Sequence, residues 1–345
     1  MRLIVPEYFT KFSCIADRCS DSCCIGWEIG IDTETLGKYS RVGGELGEEL
    51  REKICKGEDG AHFELDSERC PFLDSRGLCR LITNLGEGYL CEICREHPRY
   101  YSVFEDFASG GIALACEEAA RLILSERGTH EYDEIEAEGF SPSECDGELL
   151  GLVLSGKKKM LSIIADGEKK IGERLSRMLD FARELQAEID GEICEREAED
   201  GRGCDDPFPA NFAAYFADME HLNGELSGLF GTAAEVESGK RGDKERRDFE
   251  NRKNAPGEAA ERYLENVCVY FLDRYLLDSA FDGRFFGRVY LAALSTVALT
   301  HLFAAEENLT LRRAVEIVKC YSKEIEYSEE NVERIIADGE DRGRR

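Results

Sequence analysis

The uneven distribution of cysteine constrains this chain more than any other feature of its sequence. Ten of its 15 cysteines fall within the first 116 of 345 residues. A chain of this length can bury a large core without the help of disulfides. Its start lacks the apolar segment and cleavage site of a signal peptide, so we expect a cytoplasmic protein whose thiols stay reduced. Several reduced thiols placed together are typical of zinc or iron–sulfur binding.

The cysteines stand in short groups whose spacing excludes several common metal motifs. The groups are Cys14-x4-Cys19-x3-Cys23-Cys24, Cys70-x8-Cys79, Cys91-x2-Cys94 and a single Cys116. The paired CxxC of a zinc ribbon and the bacterial ferredoxin run are both absent. The CxxxCxxC of a radical S-adenosylmethionine enzyme begins at Cys19 but meets Gly26 at its third position. Histidine is scarce in this region, so thiolate ligands are favoured over a mixed site, and zinc and iron–sulfur both stay open.

Two regions of different character predict a mainly α protein. Residues 1–125 consist of short, irregular pieces, which predicts a small cysteine-cluster metal-binding domain, a kind of module in which metal bonds can replace a hydrophobic core. Residues 126–146 are predicted to be a connector. Residues 147–345 predict an all-α helical domain, because apolar residues recur there at three- and four-residue spacing. Within it, the charged stretch 231–258 lacks an apolar period and is predicted to be a mobile surface linker.

The strong negative charge limits the classes of partner. The chain has 72 acidic and 44 basic side chains, which gives a net charge of −28. Such a chain repels phosphate backbones and anionic lipids, so we expect neither a nucleic-acid nor a membrane partner. The longest apolar run, Val289 to Ala305, is short for a membrane span and contains serine, threonine and histidine. It therefore predicts a buried helix.

Ordered motifs in the first part of the chain carry a resemblance to a known family. They are Phe12-Ser13-Cys14, Cys19-x3-Cys23-Cys24-x-Gly26-Trp27, Cys70-Pro71-Phe72-Leu73, Leu90-x3-Cys94-x3-Pro98-Arg99 and Cys116-x-Glu118-Ala119. Over about residues 8–125 the chain resembles the flagellin lysine-N-methylase family, which belongs to a wider group of zinc- or iron-chelating cysteine-cluster proteins. Over the helical remainder the resemblance is weak.

The resemblance implies an activity, cofactors and a ligand set. The activity is S-adenosylmethionine-dependent methylation of lysine ε-amino groups on flagellin, supported by an iron–sulfur cluster, with 4Fe-4S as the expected type and zinc as the alternative. The cysteines that match the family motifs, and that are therefore expected to hold the metal, are Cys14, Cys19, Cys23, Cys24, Cys70, Cys79, Cys94 and Cys116. Cys55 and Cys91 lie outside the pattern and are interpreted as incidental.

No catalytic residue or S-adenosylmethionine site can be assigned from the sequence. Two positions depart from the family pattern. His97 replaces the usual aromatic residue before Pro98-Arg99, and Cys116-Glu117-Glu118 lacks the usual proline after its cysteine. Neither change removes a thiol, so the metal prediction is unaffected. The alternative hypothesis is a non-catalytic zinc- or iron-chelating or redox module joined to a helical partner-binding domain.

Overall fold

The chain crosses between two units more than once. The computed structural model describes residues 1–57, 60–127, 130–191, 207–222 and 224–344. One unit, here called the cysteine unit, comprises Ser13–Tyr100 and Cys116–Glu118. The other, the helical unit, comprises Met1–Phe12, Tyr101–Ala115 and Ala119–Arg345. The unit that carries the cysteines is thus narrower than the predicted domain 1–125.

Short elements occupy the first part of the chain and long helices the rest. The first part contains β1 (Arg2–Pro6), a 3₁₀ turn (Ala16–Arg18), β2 (Gly30–Ile31), α1 (Thr33–Tyr39), α2 (Gly44–Lys53), β3 (Ile54–Gly57), β4 (Gly60–Phe63), α3 (Arg80–Leu85), a 3₁₀ turn (Glu87–Tyr89), α4 (Glu92–Glu96), β5 (Arg99–Val103), β6 (Phe107–Ile112), α5 (Glu117–Ser125) and β7 (Tyr132–Glu136). The helices that follow are α6 (Gly147–Ile164), α7 (Ile171–Ile189), α8 (Phe212–Ala217), α9 (Glu225–Glu237), α10 (Asp243–Asn254), α11 (Glu258–Tyr275), α12 (Ser279–Asp282), α13 (Phe285–Ala305), α14 (Leu311–Glu326) and α15 (Glu329–Gly343). The described part of the chain is therefore mostly helical, with some strands.

The cysteine unit has a hydrophobic core of its own. Its three-stranded antiparallel sheet has the order β2-β4-β3. Tyr39, Phe63 and Phe72 are buried, and the Phe63 and Phe72 rings lie 5.0 Å apart between centroids. Burying a large apolar side chain contributes roughly 1.5–3 kcal/mol. This unit therefore does not depend on metal bonds in place of a core, because aromatic and aliphatic burial accompanies the cysteines.

The N-terminal strand belongs to the helical unit. β1 lies between β6, to which it is parallel, and β7, to which it is antiparallel, in a sheet of order β5-β6-β1-β7. Leu3 and Val5 alternate with more exposed residues and are buried on one face, as period-two packing requires. β7 lies inside the predicted connector 126–146. The connector prediction is thus corrected there, because pairing with β1 turns part of that segment into an edge strand.

Helix α13 is the centre of the helical unit. It packs against α7, α10, α11 and α15. Gly339 allows α15 to approach closely, because an added Cβ there would lie 2.7 Å from the Tyr290 side chain. The hydroxyls of Thr296 and Thr300 donate to the carbonyls one turn earlier, which satisfies polar groups inside the core. Among the described residues, this is the one helix long and apolar enough to cross a membrane, and 72% of its most apolar window is buried inside the protein.

The charged stretch 231–258 is helical, which corrects the prediction of a mobile linker. The end of α9 and all of α10 lie within it, separated by residues 238–242. The single buried aromatic of α10, Phe249, is 0% exposed and anchors the helix to the unit. Arg252 Nε donates to the Ala304 carbonyl at 2.8 Å, and Lys253 Nζ lies 2.9 Å from a carboxylate oxygen of Glu237. One buried ring and a few polar contacts hold a helix that has no apolar period.

Candidate metal centre

Electrostatic interactions link six cysteine side chains to one another, and four of them, Cys70, Cys79, Cys91 and Cys94, also to the buried phenol of Tyr39. We call them the thiol group; it consists of Cys23, Cys24, Cys70, Cys79, Cys91 and Cys94. Five of them also pack against the core of the cysteine unit, and Cys23 is exposed. Five of the six belong to the predicted ligand set, and the sixth, Cys91, was predicted to be incidental.

Backbone contacts bring distant parts of the sequence into this group. The amide of Cys70 donates to the carbonyl of Cys24 at 2.9 Å. Cys79 forms a β-bridge with Leu73, and the turn between them is closed by Asp74, whose carboxylate accepts from the amides of Arg76 and Leu78. These contacts place three of the predicted ligands next to one another although Cys24 and Cys79 are 55 positions apart.

Asp32 fixes the position of the Cys91-x2-Cys94 pair. Its carboxylate caps α1 by accepting from the Thr35 amide at 2.8 Å, and it also accepts from the Glu92 amide at 2.9 Å. Burial opposes the charged carboxylate, but the hydrogen bonds from Glu92 and Thr35 outweigh it and hold the pKa of Asp32 below its usual value. The start of α4, which carries both cysteines, is thereby tied to the helix that carries Tyr39.

The thiols of the group influence one another electrostatically. Burial, with smaller contributions from charge at Cys79, Cys91 and Cys23, raises the pKa of Cys70 to about 11. Cys91 and Cys94 lie 3.3 Å apart between their Sγ atoms. The hydrogen bond between them lowers the pKa of Cys91 and raises that of Cys94, because a thiolate at one is stabilised by the proton that the other retains.

The remaining predicted ligands lie on other segments of the same unit. Cys19 Sγ donates to Glu117 at 3.7 Å, and the amide of Ser20 donates to the same carboxylate oxygen at 2.9 Å. These contacts join the Cys19 loop to the segment Cys116–Glu118, which carries Cys116. Cys14 is exposed, and its Sγ accepts from the Ala16 amide at 3.4 Å. The cysteine unit therefore contains all eight predicted ligands.

The donor chemistry fits a thiophilic metal. Thiolates are the preferred ligands of zinc and of iron–sulfur clusters, and a cation among them would offset the mutual repulsion that opposes their ionisation. Across the described ranges, no three His, Cys, Asp or Glu side chains converge in the geometry of a metal site. The metal and its eight-residue ligand set stay predictions.

The only tryptophan borders the thiol group. Trp27 Nε1 donates to the Cys23 carbonyl at 2.7 Å, and its ring stacks with His97 at 6.1 Å between centroids. Its ring also packs against the core of the cysteine unit. Trp27 thus fixes the backbone beside Cys23 and Cys24 while it covers part of the core.

The helical unit contains a polar cavity. It encloses about 180 Å³, and its lining includes Glu7, Tyr8, Glu126, His130, Glu131, Tyr132 and Asp273. Asp273, which is buried, accepts from the Tyr132 hydroxyl at 2.6 Å and pairs with Lys157 Nζ at 2.8 Å. Its charge is already balanced inside the protein, as in a structural ion-pair network, and we assign the cavity no role.

Sequence reasoning missed Cys91. The signal that could have identified it is the spacing of Cys91 and Cys94, since CxxC in a reduced chain is a common metal-binding or redox pattern. The family motifs lack this cysteine, so the resemblance did not indicate it. The fold brings Cys91 into the thiol group, because burial and the hydrogen bond from the Glu92 amide to Asp32 hold Cys91 beside Cys94.

Comparison with known proteins agrees with the family indicated by the cysteine motifs. Residues 209–343 match the model of the FliB lysine N-methylase C-terminal domain. The flagellar biosynthetic protein FliU of Salmonella muenchen is 31% identical over 128 residues, which cover 35% of this chain and 76% of that protein. The lysine-N-methylases of Salmonella typhimurium and Salmonella choleraesuis are each 30% identical over 128 residues, which cover 35% of this chain and 32% of theirs. No solved structure shows significant similarity to the chain.

The fold and the thiol group define a mostly helical protein with a separate cysteine-rich unit. The comparisons make the assignment specific: the chain belongs to the FliB lysine N-methylase family. The family prediction is confirmed, and the matching domain lies in the helical unit, where the motif resemblance was weak. The matched region spans about a third of the two lysine-N-methylases.

Proposed function

We propose that this protein methylates lysine ε-amino groups of flagellin in the cytoplasm, with S-adenosylmethionine as the methyl donor. The observation that carries the proposal is the match of residues 209–343 to the FliB lysine N-methylase C-terminal domain. Two relatives named lysine-N-methylase and one named flagellar biosynthetic protein support the reaction and the flagellar substrate.

We also propose that the cysteine unit holds the iron–sulfur cluster that the family resemblance implies, as 4Fe-4S, with zinc as the alternative. The support is the thiol group, which contains five predicted ligands, three of them beside Tyr39, together with Cys14, Cys19 and Cys116 in the same unit. When bound, a thiolate-held metal would supply a soft cationic centre, and S-adenosylmethionine would supply the methyl group.

Methyl transfer to lysine requires a neutral amine in the site. A lysine ammonium has a pKa of about 10.4, and only the neutral amine can accept a methyl group. The site must therefore desolvate the amine or remove its proton. The net charge of −28 favours approach of a lysine-bearing surface. Charge attracts many cationic partners, so this property supports the class of substrate rather than flagellin in particular.

Methyl transfer can be measured directly. The metal-loaded protein is incubated with flagellin and S-adenosylmethionine that carries an isotopically labelled methyl group, and lysine methylation is mapped by mass spectrometry. Label on flagellin lysines, and none on flagellin whose lysines were acetylated beforehand, is the expected result. If protein with its metal in place labels no lysine, the methylase proposal is wrong, and the non-catalytic metal-binding or redox module becomes the better description.

A further inference from the structure

Cys91 is placed as a partner of Cys94 rather than as an isolated thiol. It is 1% exposed, and its Sγ lies 3.3 Å from the Sγ of Cys94. Cys55 is the other cysteine outside the family pattern, and its surroundings differ. It lies on β3 with His62 as its register partner on β4, and it is only partly buried. The two cysteines that the sequence grouped together thus occupy different environments.

The sulfur spacing in the thiol group suits a shared metal ion. A tetrahedral site with metal–sulfur bonds of about 2.3 Å separates its sulfur atoms by about 3.8 Å. The pair Cys91 and Cys94 is at 3.3 Å, and the pair Cys23 and Cys24 is at 4.0 Å, so the two observed distances bracket that value. Within each pair, small side-chain rotations would bring both sulfurs into bonding range of one cation.

The backbone around Cys91 is already held in position. The amide of Cys94 donates to the carbonyl of Cys91 at 3.0 Å, which closes the first turn of α4. Asp32 accepts from the amide of Glu92, the residue after Cys91. Little conformational entropy therefore remains to be lost when the two sulfurs bind a common ion.

We propose that Cys91 is a metal ligand and that, with Cys94, it chelates the thiophilic metal of the cysteine unit. The inference rests on the metal centre of the proposed function and extends its ligand set beyond the family motifs. The metal is zinc or the iron of a cluster, since both take thiolate ligands. The physical basis is the 3.3 Å separation of the Cys91 and Cys94 sulfurs on a backbone that Asp32 holds in place, with Cys70 and Cys79 beside the same Tyr39 phenol.

Metal binding by single variants tests this role. The full chain carrying Cys91→Ser is compared with Cys94→Ser and with the matched control Cys55→Ser, after reconstitution with zinc alone or anaerobically with iron and sulfide. Loss of a residue that only hydrogen-bonds a metal ligand already costs about 10–100-fold in metal affinity. Loss of a ligand itself should therefore cost at least about 10-fold. We expect this loss for Cys91→Ser and Cys94→Ser, measured by competition with a chelator, and wild-type affinity for Cys55→Ser. Whichever reconstitution, with zinc or with iron and sulfide, gives metal binding in the wild-type chain identifies the metal.

A spectroscopic readout separates ligand loss from misfolding. Cobalt(II) bound by thiolates absorbs through sulfur-to-metal charge transfer, so loss of one thiolate in four should remove roughly a quarter of that intensity. In the wild-type chain, at a urea concentration that exposes Cys91 in the metal-free protein, bound metal should protect Cys91 from alkylation, as detected by mass spectrometry, and this measurement needs no variant. Wild-type affinity and cobalt spectrum in Cys91→Ser, alkylation of Cys91 at equal rates with and without metal, or no metal binding in either arm would each overturn the proposal. Failure of methyl transfer with Cys91 still protected would refute the proposed activity alone.

Discussion

Arg174→Met should destabilise the helical unit far more than Arg177→Met, although both arginines lie on α7 and both form ion pairs. The side chain of Arg174 is 3% exposed, and its guanidinium contacts Glu261 at 2.8 Å and Glu265 at 2.6 Å. It also donates to the carbonyl of Ile164. The side chain of Arg177 is 46% exposed and pairs with Asp166 at 2.9 Å. Methionine preserves the aliphatic stem at both positions, so the comparison isolates the loss of charge.

The expected costs differ by several kcal/mol. Removal of one partner from a buried ion pair leaves an uncompensated charge, which costs about 3–5 kcal/mol. An exposed pair contributes about 0–1 kcal/mol. For a unit of this size, each kcal/mol shifts the melting temperature by about 2–4 °C, so Arg174→Met should lower it by roughly 6–20 °C and Arg177→Met by no more than about 4 °C. Urea unfolding followed by far-ultraviolet circular dichroism gives the corresponding free energies.

The effect of Arg174→Met should shrink at low pH. Burial opposes ionisation of Glu265, but hydrogen bonds from His130 and Arg174 outweigh it and lower the pKa of that carboxyl in the native protein. A lowered pKa contributes stability above the unfolded value of about 4.3, and that stability is lost as pH falls through the native value. Without Arg174 this contribution is reduced, so the difference in free energy of unfolding between wild type and variant should stay constant from pH 7 to about pH 5 and narrow below about pH 4.3. Equal costs for Arg174→Met and Arg177→Met at pH 7 would refute the reasoning.

Three further predictions concern other parts of the helical unit. Phe249→Ala should lower the free energy of unfolding by about 3–5 kcal/mol or unfold α10 locally, which would appear as faster amide hydrogen exchange in that helix. No change in either measurement would support the linker interpretation instead. Burial raises the pKa of Cys268 to about 12, so at about pH 8 iodoacetamide should modify the exposed Cys14 in metal-free native protein and leave Cys268 intact; equal rates by mass spectrometry would contradict its placement. The hydrogen bond to Glu324 raises the pKa of His221, so the stability that this pair contributes should be present at about pH 6 and decline as pH rises through the raised value. The urea midpoint of wild type relative to His221→Gln should therefore fall between about pH 6 and pH 8; a constant difference would rule out this linkage.

Local patterns were sufficient for the long helices. Apolar residues at three- and four-residue spacing predicted α7, and an N-cap serine followed by glutamates marks the start of α15. In both cases one helix face is buried and the signal lies within a few turns of the chain. The apolar run in α13 was equally clear, because a helix surrounded by neighbours is apolar on all sides.

The charged helix α10 shows where local patterns fail. Its sequence is strongly polar, and its position depends on Phe249 and on contacts with residues far along the chain, such as Ala304. A single buried ring creates no periodicity. The energy that stabilises the helix is supplied by other elements, so the segment alone could not reveal it.

The sequence by itself determined that ten of the 15 cysteines fall in the first 116 residues, that long helices follow, and that the motifs are those of the lysine-N-methylase family. These properties depend on residue identity and short spacing, which are visible without a fold. Only the tertiary structure decided that β1 belongs to the helical unit and that Cys91 joins the thiol group. Strand pairing and thiol proximity depend on contacts between residues far apart in the chain, and those contacts exist only after the core has formed.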